Sequence, residues 1–363
     1  MSLTEFLVYC DIVLNKIIVC MKRFSILAVL AVLAALAVSC GGSGKKLLPN
    51  VSGKAGEVIV VINQGEWEGE VGDGIRTLLA SDCPFLPQKE PLYTLVNIAP
   101  SNFTNIFQIH RNLLLVDVDH KTDSSRVEYR TDVWASPQCV ISVIAKDSDT
   151  ALSLIEEQGK TIQSMLEQAE RDRIIANSKL YEETSLRPVV NQFIGGSPYF
   201  PAGYKLKKQT GDFMWIAYDT QILQDIFIYK YPAEGKDDFS AENLVAKRNE
   251  FLKNNVPGMF ENTYMTTSNI TMPSVEYMKY KGRSFAEMRG FWEVYNDYMG
   301  GPFVSHAFYS QDGKEIIVLE AFVYAPKYDK RNYLREVESI LYSFEWNNSA
   351  RKKNDYPQKY PKV

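Results

Sequence analysis

Histidine and cysteine are scarce in this 363-residue chain, with three and five copies. So few leave little material for a His- or Cys-rich centre, and no metal site is expected. There is no HExxH, no CxxC and no Ser-His-Asp spacing, so the sequence names no catalytic constellation. The run Gly69 to Gly74 (GEVGDG) has the wrong spacing for a dinucleotide fingerprint, and no Gly-Lys-Ser/Thr follows it. It reads as a turn into a short helix, and no cofactor is expected. An excess of positive charge is missing too. Forty Lys and Arg stand against 44 Asp and Glu, a net charge of -4, which excludes the strongly basic balance of a nucleic-acid binder. What the chain has is 45% apolar and 12% aromatic residues, enough for a substantial core. Its length suits two domains, or one domain with two halves.

The first forty residues carry an address. Lys22-Arg23 precedes a largely apolar run, Phe24 to Val38, and then Ser39-Cys40-Gly41-Gly42. The run is shorter than the roughly 20 residues a membrane-spanning helix needs and fits the apolar region of a secretory signal. Its end, Ala37-Val38-Ser39-Cys40, resembles a bacterial lipobox, which makes Cys40 the expected lipidation site and the lipid the expected link to the membrane. Met21-Lys22-Arg23 is a normal signal start, so translation is expected to begin at Met21. The alternatives are a signal-anchor helix or a soluble protein with an apolar N-terminus. Residues 1–40 are thus read as a signal region and residues 41–56, rich in Gly, Ser and Lys, as a flexible tether. Lipoprotein families of this kind often carry an acidic sorting signal just after the lipidated cysteine; Gly41-Gly42-Ser43-Gly44-Lys45 has none, and that comparison implies a periplasm-facing attachment in the cell envelope, with the membrane left open.

Beyond the tether the pattern is α+β, with antiparallel sheets, packed helices and two halves that could be related, residues 57–185 and 186–347, followed by a polar tail at 348–363. Strands are expected at Glu57 to Asn63, Pro91 to Ile98 and Asn112 to Val118, with Asp132 to Ala145 one long strand or two broken at Pro137. Helices are expected at Val71 to Ser81 and from Asp149, as cap, to about Arg171. In the second half strands are expected at Tyr204 to Lys208, Phe213 to Tyr218, Gln224 to Tyr231, Met265 to Ser268, Val275 to Tyr280 and Ser284 to Tyr295. A hairpin follows over Val304 to Val323, turned at Gln311-Asp312-Gly313. Helices start at Ser240 and near Lys330. The order strand, strand, helix recurs in Asn112 to Glu167 and in Phe303 to Phe344, a weak self-similarity.

The most unusual segment is Lys281 to Gly301, KGRSFAEMRGFWEVYNDYMGG. On a strand, Phe285, Glu287, Arg289, Phe291 and Glu293 share one face, and Ala286, Met288, Gly290, Trp292 and Val294 the other. Glu287, Arg289 and Glu293 are candidates for a polar groove with an aromatic rim that includes Trp292; the plain alternative is a solvated face of paired charges. Asp117, Asp119 and His120 form a compact cluster after a strand, with a simple strand end as the alternative. His110 and His306 are weaker candidates that would matter if either met Glu287, Arg289 or Glu293 in space. Cys83 and Cys139 could bridge in an oxidising compartment, although Cys139 sits in an apolar strand where a free thiol packs as a small hydrophobe.

The segments NIFQIHRNLLLV (105–116), DVWASPQ (132–138), PAGYKLKKQT (201–210), NVPGMFENTY (255–264) and GRSFAEMRGFWEVYNDYMGGPFV (282–304) resemble an uncharacterised family of Bacteroidetes lipoproteins, a domain of unknown function numbered 4837. The resemblance runs over essentially the whole mature chain. It implies an exported, lipid-anchored protein and brings no activity, ligand or catalytic residue with it. The expected function is a non-enzymatic binding or envelope-assembly module whose partner is an envelope protein, peptide or glycan. The alternative is a hydrolase acting on an envelope glycan or peptide.

Overall fold

The segment Glu57–Val61 (β1) is apolar at nearly every position, the pattern of a strand covered on both faces, and it lies inside a five-stranded sheet. The computed structural model describes residues 47–218 and 220–347. After β1 come the helices Gln64–Glu68 (α1) and Glu70–Leu79 (α2), then Thr94–Ile98 (β2), the four-residue helix Asn105–Gln108 (α3), Asn112–Val118 (β3), Arg126–Thr131 (β4) and Cys139–Ala145 (β5). Ser148–Glu157 (α4) and Gly159–Leu180 (α5) complete the first half. The sheet order is β2-β1-β3-β5-β4; β1 pairs with β2 and β3 in parallel, β3 with β5 in parallel, and only β4 runs antiparallel to β5.

The second half contains Leu186–Ile194 (α6), Gly196–Ser197 (β6), Lys205–Gln209 (β7), Phe213–Ala217 (β8), Leu223–Pro232 (β9), Ala241–Asn255 (α7), Tyr264–Thr267 (β10) and Ser274–Tyr280 (β11). It ends with Arg283–Tyr295 (β12), Gly300–Tyr309 (β13), Glu315–Tyr324 (β14), Arg331–Tyr342 (α8) and Glu345–Trp346 (β15). Eight of these strands make one antiparallel sheet, β10-β12-β13-β14-β9-β8-β7, with β11 also on β12. The two-stranded β15-β6 pair stands apart.

The α+β class, with an antiparallel sheet and packed helices, is therefore observed, and the first sheet adds parallel pairing to it. The similar element order of the two halves does not extend to pairing: β3 and β5 are parallel, β13 and β14 antiparallel. Two local differences have simple causes. The strand expected from Asp132 starts at Cys139, because residues 132–138 loop around Pro137, which has no N–H to offer a ladder. The cap of α4 is Asp147, whose carboxylate accepts from the Thr150 N–H at 2.8 Å, two residues before the expected Asp149.

The tether expectation for 41–56 fails for its second part. Ser136 N–H donates to the Pro49 carbonyl at 2.9 Å, Ser52 N–H to Ile109 O at 2.9 Å, and Arg111 N–H to Ser52 O at 3.0 Å. Backbone pairing of this kind adds residues 49–56 to the body. The signal region, Cys40 and the polar tail lie outside the described residues.

Each large-sheet face has its own core. Phe285, Val304, Phe308, Leu319 and Val323 pack under Val190 of α6 and Leu334, Val337 and Leu341 of α8. On the opposite face Met288, Trp292, Phe303, Val318 and Phe322 pack with Leu244, Phe251 and Leu252 of α7. In the first sheet, Val58, Val60, Leu114 and Ile141 meet Ile75 of α2, Ile155 of α4 and Ile162 and Leu166 of α5. Its other face, Ile59, Val61, Leu113 and Val140, is met by Phe103, Phe107, Val133 and Trp134.

Candidate functional site

Strict alternation along β12 puts Phe285, Glu287 and Arg289 on the face below α8 and Ala286, Met288, Trp292 and Val294 on the other. The β12–β13 register places His306 directly across from Glu287, with its Nε2 3.3 Å from Glu287 Oε2. The same carboxylate oxygen accepts from the Tyr342 hydroxyl of α8 at 2.8 Å, and Glu287 Oε1 accepts from Arg289 Nε at 2.7 Å. Arg289 also donates to Glu338 of α8 at 2.6 Å. Glu338 lies 3.6 Å from the guanidinium of Arg171, which stacks over the Tyr342 ring at 3.6 Å.

The electrostatics follow from crowding. Burial pushes the Glu287 carboxyl up, but Arg289 and the His306 hydrogen bond outweigh it and hold it well below the usual range. Burial drives the His306 imidazole down to about 4 against the pull of Glu287, so it is neutral at pH 7. Its ring is clamped between Phe285 and Tyr342, with centroids 4.2 and 4.6 Å away, and it has no solvent exposure. Desolvation and the neighbouring Glu287 push the Tyr342 hydroxyl far up as well. An acid, a base and a hydroxyl thus meet, but under a helix, with water kept away.

This cluster is one end of a longer row. Along α5, Glu167 pairs with Arg335 of α8 at 2.6 Å and accepts from the Tyr93 hydroxyl at 2.6 Å. Glu170, which is fully buried, lies 3.2 Å from Arg111 and 3.3 Å from Arg173, and accepts from Asn112 Nδ2 at 2.7 Å. Residues 167, 170, 171 and 173 share the side of α5 that meets α8 and the strand ends, so alternating charges tie the two halves together.

The remaining sequence candidates do not join this site. Trp292 is on the opposite face, where its Nε1 donates to Val323 O at 3.3 Å, and Glu293 lies half-buried across from Gly300. The expected groove with Trp292 on its rim is therefore absent: strand alternation separates Trp292 from Glu287 and Arg289. A Cβ on Gly301 would sit 2.2 Å from Val323 O, so this glycine serves close strand approach rather than a ligand. His110 is buried elsewhere, with Nδ1 3.1 Å from Asn112 O and Nε2 3.6 Å from Glu57. Asp117 and Asp119 are exposed, and Asp119 accepts from Lys121 N–H at 2.9 Å, the ordinary chemistry of a strand end. Cys83 and Cys139 are both free, so the possible bridge is not formed; burial pushes each thiol up to about 11.

Sequence reasoning also missed a surface feature. The loops around β10 carry Met259, Phe260, Ile270 and Met272, all 65% exposed or more, and Tyr298 stands out from the β12–β13 turn. Single exposed apolar residues mean little; here five stand on the loops before and after β10 and on the β12–β13 turn.

Residues 51–179 match a domain of unknown function, DUF8532, so the segments 105–116 and 132–138 belong to that match and not to the family first suggested for the whole mature chain. No curated protein matches the chain. A crystal structure from Bacteroides thetaiotaomicron VPI-5482 is similar at 10% identity and a TM-score of 0.25, covering 44% of this chain; the chain spans 47% of that one. Residues 183–343, which include all of the large antiparallel sheet and α8, match the model of a domain of unknown function, DUF4837.

Proposed function

We propose that the protein is a lipid-anchored envelope component that works by binding another envelope protein and not by catalysis. The observation that supports this reading is the group of exposed apolar side chains, Met259, Phe260, Ile270, Met272 and Tyr298, on the loops at the β10 edge of the large sheet. Flexible methionines and an aliphatic side chain suit an adaptable protein contact better than the flat aromatic platform a glycan needs. The acid–base cluster at Glu287 and His306 gives no support to a hydrolase, because a general base must reach a substrate proton and His306 is sealed under α8.

Anchoring and binding are tested separately. The mass of the N-terminal peptide from whole cells should show a lipidated Cys40, and Cys40→Ala should release the protein from membranes. A photo-crosslinking residue at Phe260 should give one discrete protein adduct in growing cells, lost when Met259 and Tyr298 are changed to serine, while the same probe at exposed Glu157 gives none. Adducts from both positions alike, or hydrolysis of an envelope polymer that disappears in Glu287→Gln, would reverse the assignment.

A further inference from the structure

The point where the chain enters the body limits which surface can face a membrane. Only eight residues separate Cys40 from Pro49, a reach of at most about 30 Å when fully extended and well below that on average. Pro49 is pinned to Ser136 and Ser52 to Ile109 and Arg111, so the chain enters between the loop at residues 132–138 and the segment at residues 103–111.

These two segments carry the aromatic cap over the second face of the first sheet. Trp134 and Phe103 meet edge to face at 5.6 Å, Phe107 and Val133 lie half-buried beside them, and Ile106 projects with 70% of its surface exposed. Parallel sheets ordinarily have both faces covered, yet here one face is met by α2, α4 and α5 and the other by these loop residues. Exposed Lys54, two residues past the pinned Ser52, supplies a cation on the entering segment. Half-buried tryptophan and phenylalanine, with a lysine on the segment that pairs with them, match the chemistry of the headgroup layer, where an aromatic ring is wetted at one side and dry at the other.

We propose that Phe103, Ile106, Phe107 and Trp134 form a membrane-facing surface that rests at the headgroup level of the bilayer holding Cys40. This rests on Cys40 being the lipidated residue. The lipid chain supplies attachment; the cap fixes orientation, so that the body lies against the bilayer instead of swinging on its linker.

The test uses the full chain purified from cell membranes and reconstituted into vesicles of phosphatidylethanolamine and phosphatidylglycerol, with and without brominated acyl chains. Bromine should quench tryptophan fluorescence in the wild type. Trp134→Phe should lose most of that quenching, because Trp67 packs on the helix-covered face of the first sheet and Trp215, Trp292 and Trp346 in the cores of the large sheet. Ile106→Asp, a change at an exposed position, should reduce it while leaving the thermal midpoint in place. Quenching that is absent, or unchanged in both variants, in protein whose N-terminal mass carries the lipid would overturn the proposal and leave the anchor intact. A stable dimer that shields Trp134 would also overturn it, in favour of a second copy as the occupant. An unmodified Cys40 would remove the anchor and this proposal together.

Discussion

The two faces of the large sheet solve the same problem differently. On the α7 face Glu320 of β14 is buried with Arg248, neither having any solvent exposure; Arg248 Nε and Nη2 meet the carboxylate at 2.8 to 3.1 Å, and its Nη1 donates to Thr267. On the α8 face Glu287 shares a row with Arg289, His306, Tyr342, Glu338 and Arg171. Burial wins at Glu320, whose carboxyl is pushed up despite Arg248, whereas at Glu287 several donors together override burial and hold the carboxyl down. Partner number, and not proximity alone, decides whether a buried acid is comfortable. Glu320 rests on one cation and the buried Tyr229 hydroxyl, while the row at Glu287 spreads its charge over several partners.

The sharpest way to break this contrast is to remove the single cation. Arg248→Met should cost about 3–5 kcal/mol in urea unfolding, because Glu320 is left buried with the Tyr229 hydroxyl and no counter-charge, and Arg248→Met with Glu320→Leu should recover most of it. A double variant as unstable as the single would show that packing of α7, not charge, sets the loss.

The pH response separates the faces next. His306 titrates at about 4 when folded and near 6.5 when unfolded, so the folded state resists protonation. Its effect on stability is nil above pH 6.5, and stability falls as pH drops from there to 4, by up to about 3 kcal/mol. Glu287, held low in the fold, adds its loss only as pH falls below the unfolded carboxylate range. His306→Asn should flatten the urea midpoint between pH 6.5 and 5 and leave the steeper acid limb. An unchanged slope in that window would assign it to other groups.

On the row itself, Arg289→Met should cost about 1–3 kcal/mol, less than Arg248→Met, since Glu287 keeps His306 and Tyr342, and Glu338 keeps Arg171. Equal losses in the two variants would erase the distinction. Ser240→Ala is the smallest change. It removes the oxygen that accepts from Asn243 N–H at the start of α7 and should cost about 1 kcal/mol, measurable as a small shift in the thermal midpoint.

Much of this architecture was legible because it is local. The period of two along Phe285 to Val294 correctly separates Glu287 and Arg289 from Met288 and Trp292, yet the expected groove still included Trp292, a choice the period itself argued against. The spacing of Ile162 and Leu166 marks α5, and Ser240 marks the start of α7. The site was not legible for a different reason. His306 reaches Glu287 only through the strand register fixed by the turn at residues 296–299, and Tyr342 and Glu338 arrive from a helix that no spacing ties to β12. The polar side of α5 gave no signal of its own, because Arg111 and Arg335, which meet Glu170 and Glu167, lie far along the chain. Parallel pairing in the first sheet was equally hidden: Glu57 to Asn63 is an apolar run that either kind of neighbour could cover.

The bond between Glu167 and Arg335 joins positions 168 residues apart, and it bears on the order of assembly. A chain emerging from its first residue makes α5 long before Arg335 exists, so Glu167 waits for its cation with only the Tyr93 hydroxyl beside it, while Glu170 already has Arg111 and Arg173. Completion of α8 then works as a checkpoint. Chains stopped before residue 330 should be cut by protease within α5 at concentrations that leave full chains whole, and survival in a protease-rich compartment becomes a readout of whether synthesis passed that helix.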